Sequence, residues 1–375
     1  MKYYIIAGEA SGDLHASNLM KELKKKDPSA EFRCWGGDLM QKQGAVLVKH
    51  YRELAFMGFA EVLANLGTIL NNIKLCKKDI KAYKPDALVL VDYPGFNLRI
   101  AEFAHNEGFR VFYYISPQIW AWKTSRVHKI KKFVDRMFVI LPFEKGFYKR
   151  YGVDVDFVGH PLLDMIEQLP EENPAAFRIN NNLPEKPVIA LLPGSRKQEI
   201  SKILPLMLSV CMAYPDYQFV VGGAPSIDEG FYKGLFTEGD IKIVFGQTHE
   251  LLRNSFAALV TSGTATLETA LFEVPEVVCY KGSFLSYHIA RMVVDKDLIK
   301  FISLVNLIMD REVVKELIQN DLNTVNLKKE LDRIINNQES YLKIKGDYKS
   351  LKAKLGGHGA SLKTAHLIID CLNEK

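Results

Sequence analysis

Several signatures of secreted, membrane-spanning or metal-binding chains are missing here. The five cysteines, Cys34, Cys76, Cys211, Cys279 and Cys371, are odd in number, scattered and never spaced as CxxC. That excludes a disulfide framework and a cysteine-based zinc site, and fits a reducing compartment. No apolar run approaches the ~20 residues that cross a bilayer. Met1-Lys-Tyr-Tyr-Ile-Ile leads straight into a strand-like run, without the cleavage region of a signal peptide. An excess of one charge is also lacking, with 49 Lys+Arg against 44 Asp+Glu. So mild a balance gives no reason to expect nucleic acid, but suits an anionic substrate or an anionic membrane surface. The first glycine turn is neither GxGxxG nor the Walker pattern, and no DxD pair stands beside the later ones. No metal and no cofactor are expected, in a cytoplasmic chain.

What is present is a repeated strand, glycine-rich turn and helix. At 375 residues with 48% hydrophobic and 25% charged content, the chain can fill two globular domains. Tyr3–Ala7 reads as a buried strand running into Gly8-Glu-Ala-Ser-Gly-Asp13, with Leu14, Leu19, Met20 and Leu23 on one helical face. Ser11 and Asp13 fit a phosphate-binding turn, and fit plain helix caps as well. Strands follow at Glu31–Trp35 and Ala87–Val91, and Asp92 ends the second at the edge where ligands of open α/β sheets gather. Arg110–Ile115 exits through Ser116-Pro-Gln-Ile-Trp-Ala-Trp122, whose tryptophans are expected to line a pocket. Met137–Ile140 and Asp156–Val158 finish that sheet, and His160 reads more readily as structural than catalytic. Between Phe56 and Ile73 runs an apolar helical stripe, followed by Lys74, Lys77, Lys78, Lys81 and Lys84. It is either a core helix with a solvated basic end or an element that touches a membrane.

Asp164 to Pro187 reads as the linker, rich in Glu, Asn and Pro. Beyond it, strands at Val188–Leu192, Gln218–Val221, Ile243–Phe245 and Ala257–Val260 each exit into small residues. Those exits hold Gly194, Ser195 and Arg196; Gly222; Gln247; and Ser262, Gly263, Thr264, Ala265 and Thr266. A strand, a tight turn and a helix start offer unpaired N–H groups beside a positive dipole end, which suits phosphate. Glu268, a turn into the last helix, would reach a ribose diol. Arg196 is placed to pair with a diphosphate or, more plainly, with Glu199. Ser303 and Asn306, with Glu316 and Gln319, form a polar set on segments read as otherwise apolar helices. From Leu327 to Lys375 the chain reads as helical, with a break at Gly356-Gly357.

Six motifs in order, GEASGD (Gly8–Asp13), YISPQIWAW (Tyr114–Trp122), VGHPL (Val158–Leu162), LLPGSR (Leu191–Arg196), TSGTATLE (Thr261–Glu268) and Ser303–Asn306, closely resemble lipid-A-disaccharide synthase. The resemblance runs from Met1 to about Gln319. It implies an α/β fold of the GT-B type: two Rossmann-like domains facing a cleft, followed by C-terminal helices. The expected division is 1–165 on the acceptor side, 166–345 for the UDP-sugar, and a helical segment 346–375 that packs back on the first domain. The implied reaction is transfer of the sugar of UDP-2,3-diacylglucosamine to 2,3-diacylglucosamine 1-phosphate. It gives a β-1,6-linked disaccharide 1-phosphate and UDP, with inversion at the anomeric centre. Asp92 matches the family's candidate general base, and Arg196 the arginine of its PGSR turn. Val305 stands where relatives commonly have proline, and Gly95 where many have aspartate. A UDP-sugar epimerase of the same architecture and a two-lobed solute-binding protein are the alternatives. The expected setting is cytoplasmic and peripheral on the inner face of the cytoplasmic membrane; a homodimer stays open as an assembly state.

Overall fold

Lys2–Ala7 (β1) and Ala87–Val91 (β4) are near-continuous apolar runs because both faces of their sheet are covered by helices. Between and around them lie Glu31–Gly36 (β2), Val46–His50 (β3), Val111–Tyr114 (β5), Arg136–Val139 (β6) and Asp156–Phe157 (β7). All pair in parallel, in the order β3-β2-β1-β4-β5-β6-β7. The structure is a computed structural model and describes residues 1–54, 66–121, 124–170, 174–236, 241–282 and 300–374.

The second sheet comprises Val188–Leu192 (β8), Gln218–Gly223 (β9), Lys242–Phe245 (β10), Ser255–Thr261 (β11), Glu276–Tyr280 (β12) and Lys315–Ile318 (β13). It is parallel throughout, in the order β10-β9-β8-β11-β12-β13. The segment around Glu316 is therefore a strand and not the helix that its apolar content suggested. β3 is an edge strand whose Val46 is exposed, and its Lys49 and His50 give it no buried apolar run to betray it.

The chain falls into two compact units, Met1–Glu167 with Leu355–Lys375, and Gln168–Lys354. The helix Gln338–Lys354 stays with the second unit, burying Ile344, Tyr348 and Leu351. Gly356 and Gly357 then take positive φ values of 87° and 74° and end it. The last helix, Ala360–Asn373, returns to the first unit and sets Ala365, Ile368 and Cys371 in the core with Leu19 and Leu23 of the helix Ala10–Lys26. Asp164 caps that last helix, accepting the N–H groups of Gly359 at 2.6 Å and Ser361 at 3.3 Å.

The helix Leu66–Tyr83 is anchored by a polar bolt. Asp79 accepts the Arg33 guanidinium through two bonds of 2.8 and 2.6 Å and the Tyr4 hydroxyl at 2.7 Å. Of the apolar stripe, residues 56–65 lie outside the described residues. The rest of the helix divides between core and surface: Ile73, Cys76 and Ile80 are buried, while Leu70 and Leu75 are 52% and 46% exposed. Among the described residues, no helix is long and apolar enough to cross a membrane.

Candidate functional site

In the second sheet β8 and β11 are neighbours from which the strand order runs outward both ways, which makes their exits the topological switch point. There the turn after β8, the turn after β9 and the turn after β11 surround a cavity of about 350 Å³. Gly194, Ser195, Arg196, Gly222, Ser262, Gly263, Thr264 and Ala265, all expected from the sequence, line it together. The helix Thr264–Leu271 begins at its wall, and among the described residues the N–H groups of Thr264 and Ala265 lack the carbonyl partners that later turns have. Arg196 is exposed at the start of the helix Lys197–Leu208 and makes no ion pair among the described residues. Glu199, the ordinary partner that the sequence offered it, turns elsewhere: its carboxylate accepts the Ser195 N–H at 3.2 Å and the Thr261 hydroxyl at 3.3 Å. Uncommitted N–H groups and a free guanidinium around one concavity can bind an anion with two or more phosphoryl oxygens.

The remaining candidates of this unit divide. Thr266 is fully buried and spends its hydroxyl on the Gly263 carbonyl at 2.8 Å, closing the turn. Gln247 accepts the Asn181 amide at 2.9 Å, and it is its neighbour Thr248 that lines the cavity. Glu268 has no partner among the described residues, and burial pushes its carboxyl up to about 7. Asn306 does not line the cavity. It is fully buried, accepts the N–H groups of Val313 at 2.7 Å and Val314 at 3.1 Å, and donates to the Val314 carbonyl and to Glu316, both at 2.9 Å. Glu316 in turn accepts the N–H groups of Ile302 and Ser303 and the Ser303 hydroxyl. This polar set bolts β13 to the helix Leu304–Met309. Thr248, Thr261 and Gly223-Ala224-Pro225 also line the cavity; they belong to the same small-residue strand exits, although the sequence singles out none of them as a contact.

In the first unit the corresponding switch point lies between β1 and β4. Asp92 and Tyr93 both sit in the left-handed region, with φ of 43° and 48°. Such a conformation costs a side-chain-bearing residue on the order of 1–2 kcal/mol. It is held by its surroundings: Asn97 donates to the Asp92 carbonyl at 2.7 Å and the Tyr113 hydroxyl donates to it at 2.6 Å. Tyr93 donates its hydroxyl to the Leu54 carbonyl at 3.2 Å and lies so close to Gly8 that a Cβ there would run into its ring. Burial first, and then the charge of Glu9, pushes the Asp92 carboxyl up to about 6, with the Tyr93 N–H opposing. Near neutrality such a group is ionised yet more basic than an ordinary aspartate, as a general base should be.

Asp13 has a structural task. It is 2% exposed and accepts the N–H groups of Gly37, Leu39 and Met40, tying the turn after β2 to the first helix. Ser11 is exposed on the first turn of that helix. Trp120 is buried edge-on against Phe143 at 4.9 Å, whereas Trp122 lies outside the described residues. His160 accepts the Leu162 N–H at 3.2 Å, and burial pushes it down to about 3, so it is a neutral turn residue.

The same chain resembles known proteins over its whole length. The family described as lipid-A-disaccharide synthetase matches residues 3–368. The lipid-A-disaccharide synthase of Syntrophus aciditrophicus is 38% identical over 377 residues, covering 99% of this chain and 97% of that protein. That of Geobacter sulfurreducens is 37% identical over 379 residues, with the same coverage of 99% and 97%. A putative UDP-N-acetylglucosamine 2-epimerase from Listeria monocytogenes superposes with a TM-score of 0.71 at 14% identity, covering 100% of this chain and 97% of that one. The UDP-GlcNAc 2-epimerase from Neisseria meningitidis, solved with UDP-GlcNAc, gives 0.69 at 13% identity and covers 100% of both chains. At such low identity these structures speak for the shared two-domain α/β architecture of the GT-B type, not for epimerisation. The family match over residues 3–368 and the relatives at 37–38% identity place the chain in the lipid-A-disaccharide synthase family of glycosyltransferases.

Proposed function

We propose that the protein transfers 2,3-diacylglucosamine from UDP to the 6-hydroxyl of 2,3-diacylglucosamine 1-phosphate, with inversion, giving the β-1,6 disaccharide 1-phosphate and UDP. The observation that carries this reading is the cavity at the exits of β8 and β11, where Arg196 and the start of the helix Thr264–Leu271 converge. As the anomeric carbon takes on oxocarbenium character, the departing diphosphate gathers negative charge. Preorganised N–H groups and a guanidinium stabilise that charge more than they stabilise the ground state. Asp92, with its raised basicity, removes the proton of the attacking hydroxyl, a contribution of roughly 10²–10⁴-fold. Glu268 accepts hydrogen bonds from the ribose diol.

The substrates carry acyl chains, so the enzyme works at the inner face of the cytoplasmic membrane. Leu70 and Leu75, exposed beside the exposed lysines Lys74 and Lys78, are the described part of the surface that meets lipid. Lys77 and Lys81 are less available, lying over the Phe103 ring at 5.1 and 5.6 Å, with Lys81 also paired to Glu107 at 2.8 Å.

A coupled assay of UDP release, run with and without the lipid acceptor, tests the reading. Release that requires the acceptor supports it. Interconversion of the UDP-sugar without an acceptor is the epimerase outcome, and binding without turnover is that of a solute-binding protein.

A further inference from the structure

The cavity in the second unit holds a carboxylate that an anion-binding site does not call for. Glu199 lies in the first turn of the helix Lys197–Leu208 and lines the cavity beside Arg196. One of its oxygens accepts the Ser195 N–H at 3.2 Å, in the turn after β8. The other accepts the hydroxyl of Thr261, the last residue of β11, at 3.3 Å. A single side chain thus spans the two strand exits of the switch point. Gly194 makes room for it: a Cβ there would overlap the Glu199 carboxylate, and the residue's φ of 112° is one that side chains rarely adopt.

We infer that Glu199 is a positioning residue for the donor, locking the Pro193–Arg196 turn against Thr261 so that Arg196 and the N–H groups of Thr264 and Ala265 meet the diphosphate as one fixed set. This rests on the reading of the cavity as the donor site. Both Glu199 oxygens accept from neutral donors, so the task needs hydrogen-bonding atoms in place and not a charge. Glutamine can supply them. Its carbonyl accepts the Ser195 N–H, and its NH₂ donates to the Thr261 oxygen, since a hydroxyl serves as acceptor as well as donor. The negative charge itself opposes an anionic ligand, so Glu199→Gln keeps the lock and removes a repulsion. Glu199→Ala removes both.

The test compares wild type, Glu199→Gln and Glu199→Ala by calorimetric titration with UDP, by KM and kcat for the UDP-sugar, and by thermal melting. Glu199→Ala is expected to raise the Kd for UDP and the KM for the donor by roughly tenfold, the loss expected when a positioned turn is released. Glu199→Gln should bind UDP as tightly as wild type or more tightly, and keep its KM. Alanine that binds UDP like wild type overturns the role, because the turn then needs no lock. Glutamine that loses UDP as fully as alanine also overturns it, because the charge would then be the operative feature; this arm stands even where the alanine variant folds poorly. A folded wild type that binds no UDP overturns the donor reading of the cavity, and this inference with it.

Discussion

Replacing Asp92 by asparagine should cost activity and raise stability at the same time. Its carboxyl is pushed from the usual 3.8 to about 6, chiefly by burial. At roughly 1.4 kcal/mol for each tenfold change in protonation equilibrium, holding it ionised in the folded state costs about 3 kcal/mol. Proton counting gives the sign. Below the unfolded value of 3.8 both states are protonated and the cost is absent. As pH rises toward about 6 the unfolded chain ionises first and native stability falls; above that the full cost is present. Asparagine is uncharged, fills the same space and tolerates the left-handed φ of 43° at this position. Urea denaturation at pH 7.5 should therefore show Asp92→Asn more stable than wild type by up to about 3 kcal/mol, and the advantage should vanish near pH 4. Turnover should drop at least ~10²-fold while UDP still binds. In wild type, kcat/KM should fall about tenfold for each pH unit below the raised value, where an ordinary aspartate would stay ionised. A variant that turns over normally refutes Asp92 as the base. One equally or less stable at pH 7.5 refutes the burial argument.

Arg196→Ala should weaken UDP by roughly 1.5–3 kcal/mol, read by titration, and leave the melting temperature unchanged because the side chain is exposed. Unaltered affinity would make the arginine a surface residue only. Asn306→Ala should do the opposite, lowering stability by roughly 2–4 kcal/mol through the stranded N–H groups of Val313 and Val314 while the folded protein keeps its Kd for UDP. A variant that melts like wild type but loses UDP would return Asn306 to the binding site. Replacing Leu70 and Leu75 together by serine should reduce sedimentation with anionic liposomes several-fold, and added salt should weaken wild-type binding through Lys74 and Lys78. Equal sedimentation of variant and wild type would show that the enzyme meets its lipids by another surface.

The sheet strands were legible where burial on both faces makes a sequence continuously apolar, as in Ala87–Val91, Val188–Leu192 and Ala257–Val260. Glu276–Tyr280 escaped because its first residue is a fully buried glutamate, and Lys315–Ile318 because charged residues open it. The phosphate-type turns announced themselves through small residues at strand exits, which explains why Gly194 to Arg196 and Ser262 to Ala265 come together. Side-chain commitments were not legible. Asp13 and Asn306 look like site residues in a motif, yet Asp13 spends its carboxylate on the backbone N–H groups of Gly37, Leu39 and Met40, and Asn306 spends its carbonyl on those of Val313 and Val314 and its NH₂ on the Val314 carbonyl and Glu316, which only the three-dimensional partners reveal. Glu199 shows the reverse: an apparent salt-bridge partner of Arg196 becomes a lock between two strand exits once its bonds are known.

The measurement that bears most directly on the proposed reaction is product analysis. Purified protein is incubated with UDP-2,3-diacylglucosamine and 2,3-diacylglucosamine 1-phosphate, and the products are followed by mass spectrometry with NMR of the new glycosidic bond. The expected product is a disaccharide 1-phosphate with a β-1,6 linkage, formed mole for mole with UDP and absent when either substrate is withheld. UDP-sugar consumed without a disaccharide, or a product with retained anomeric configuration, would contradict it.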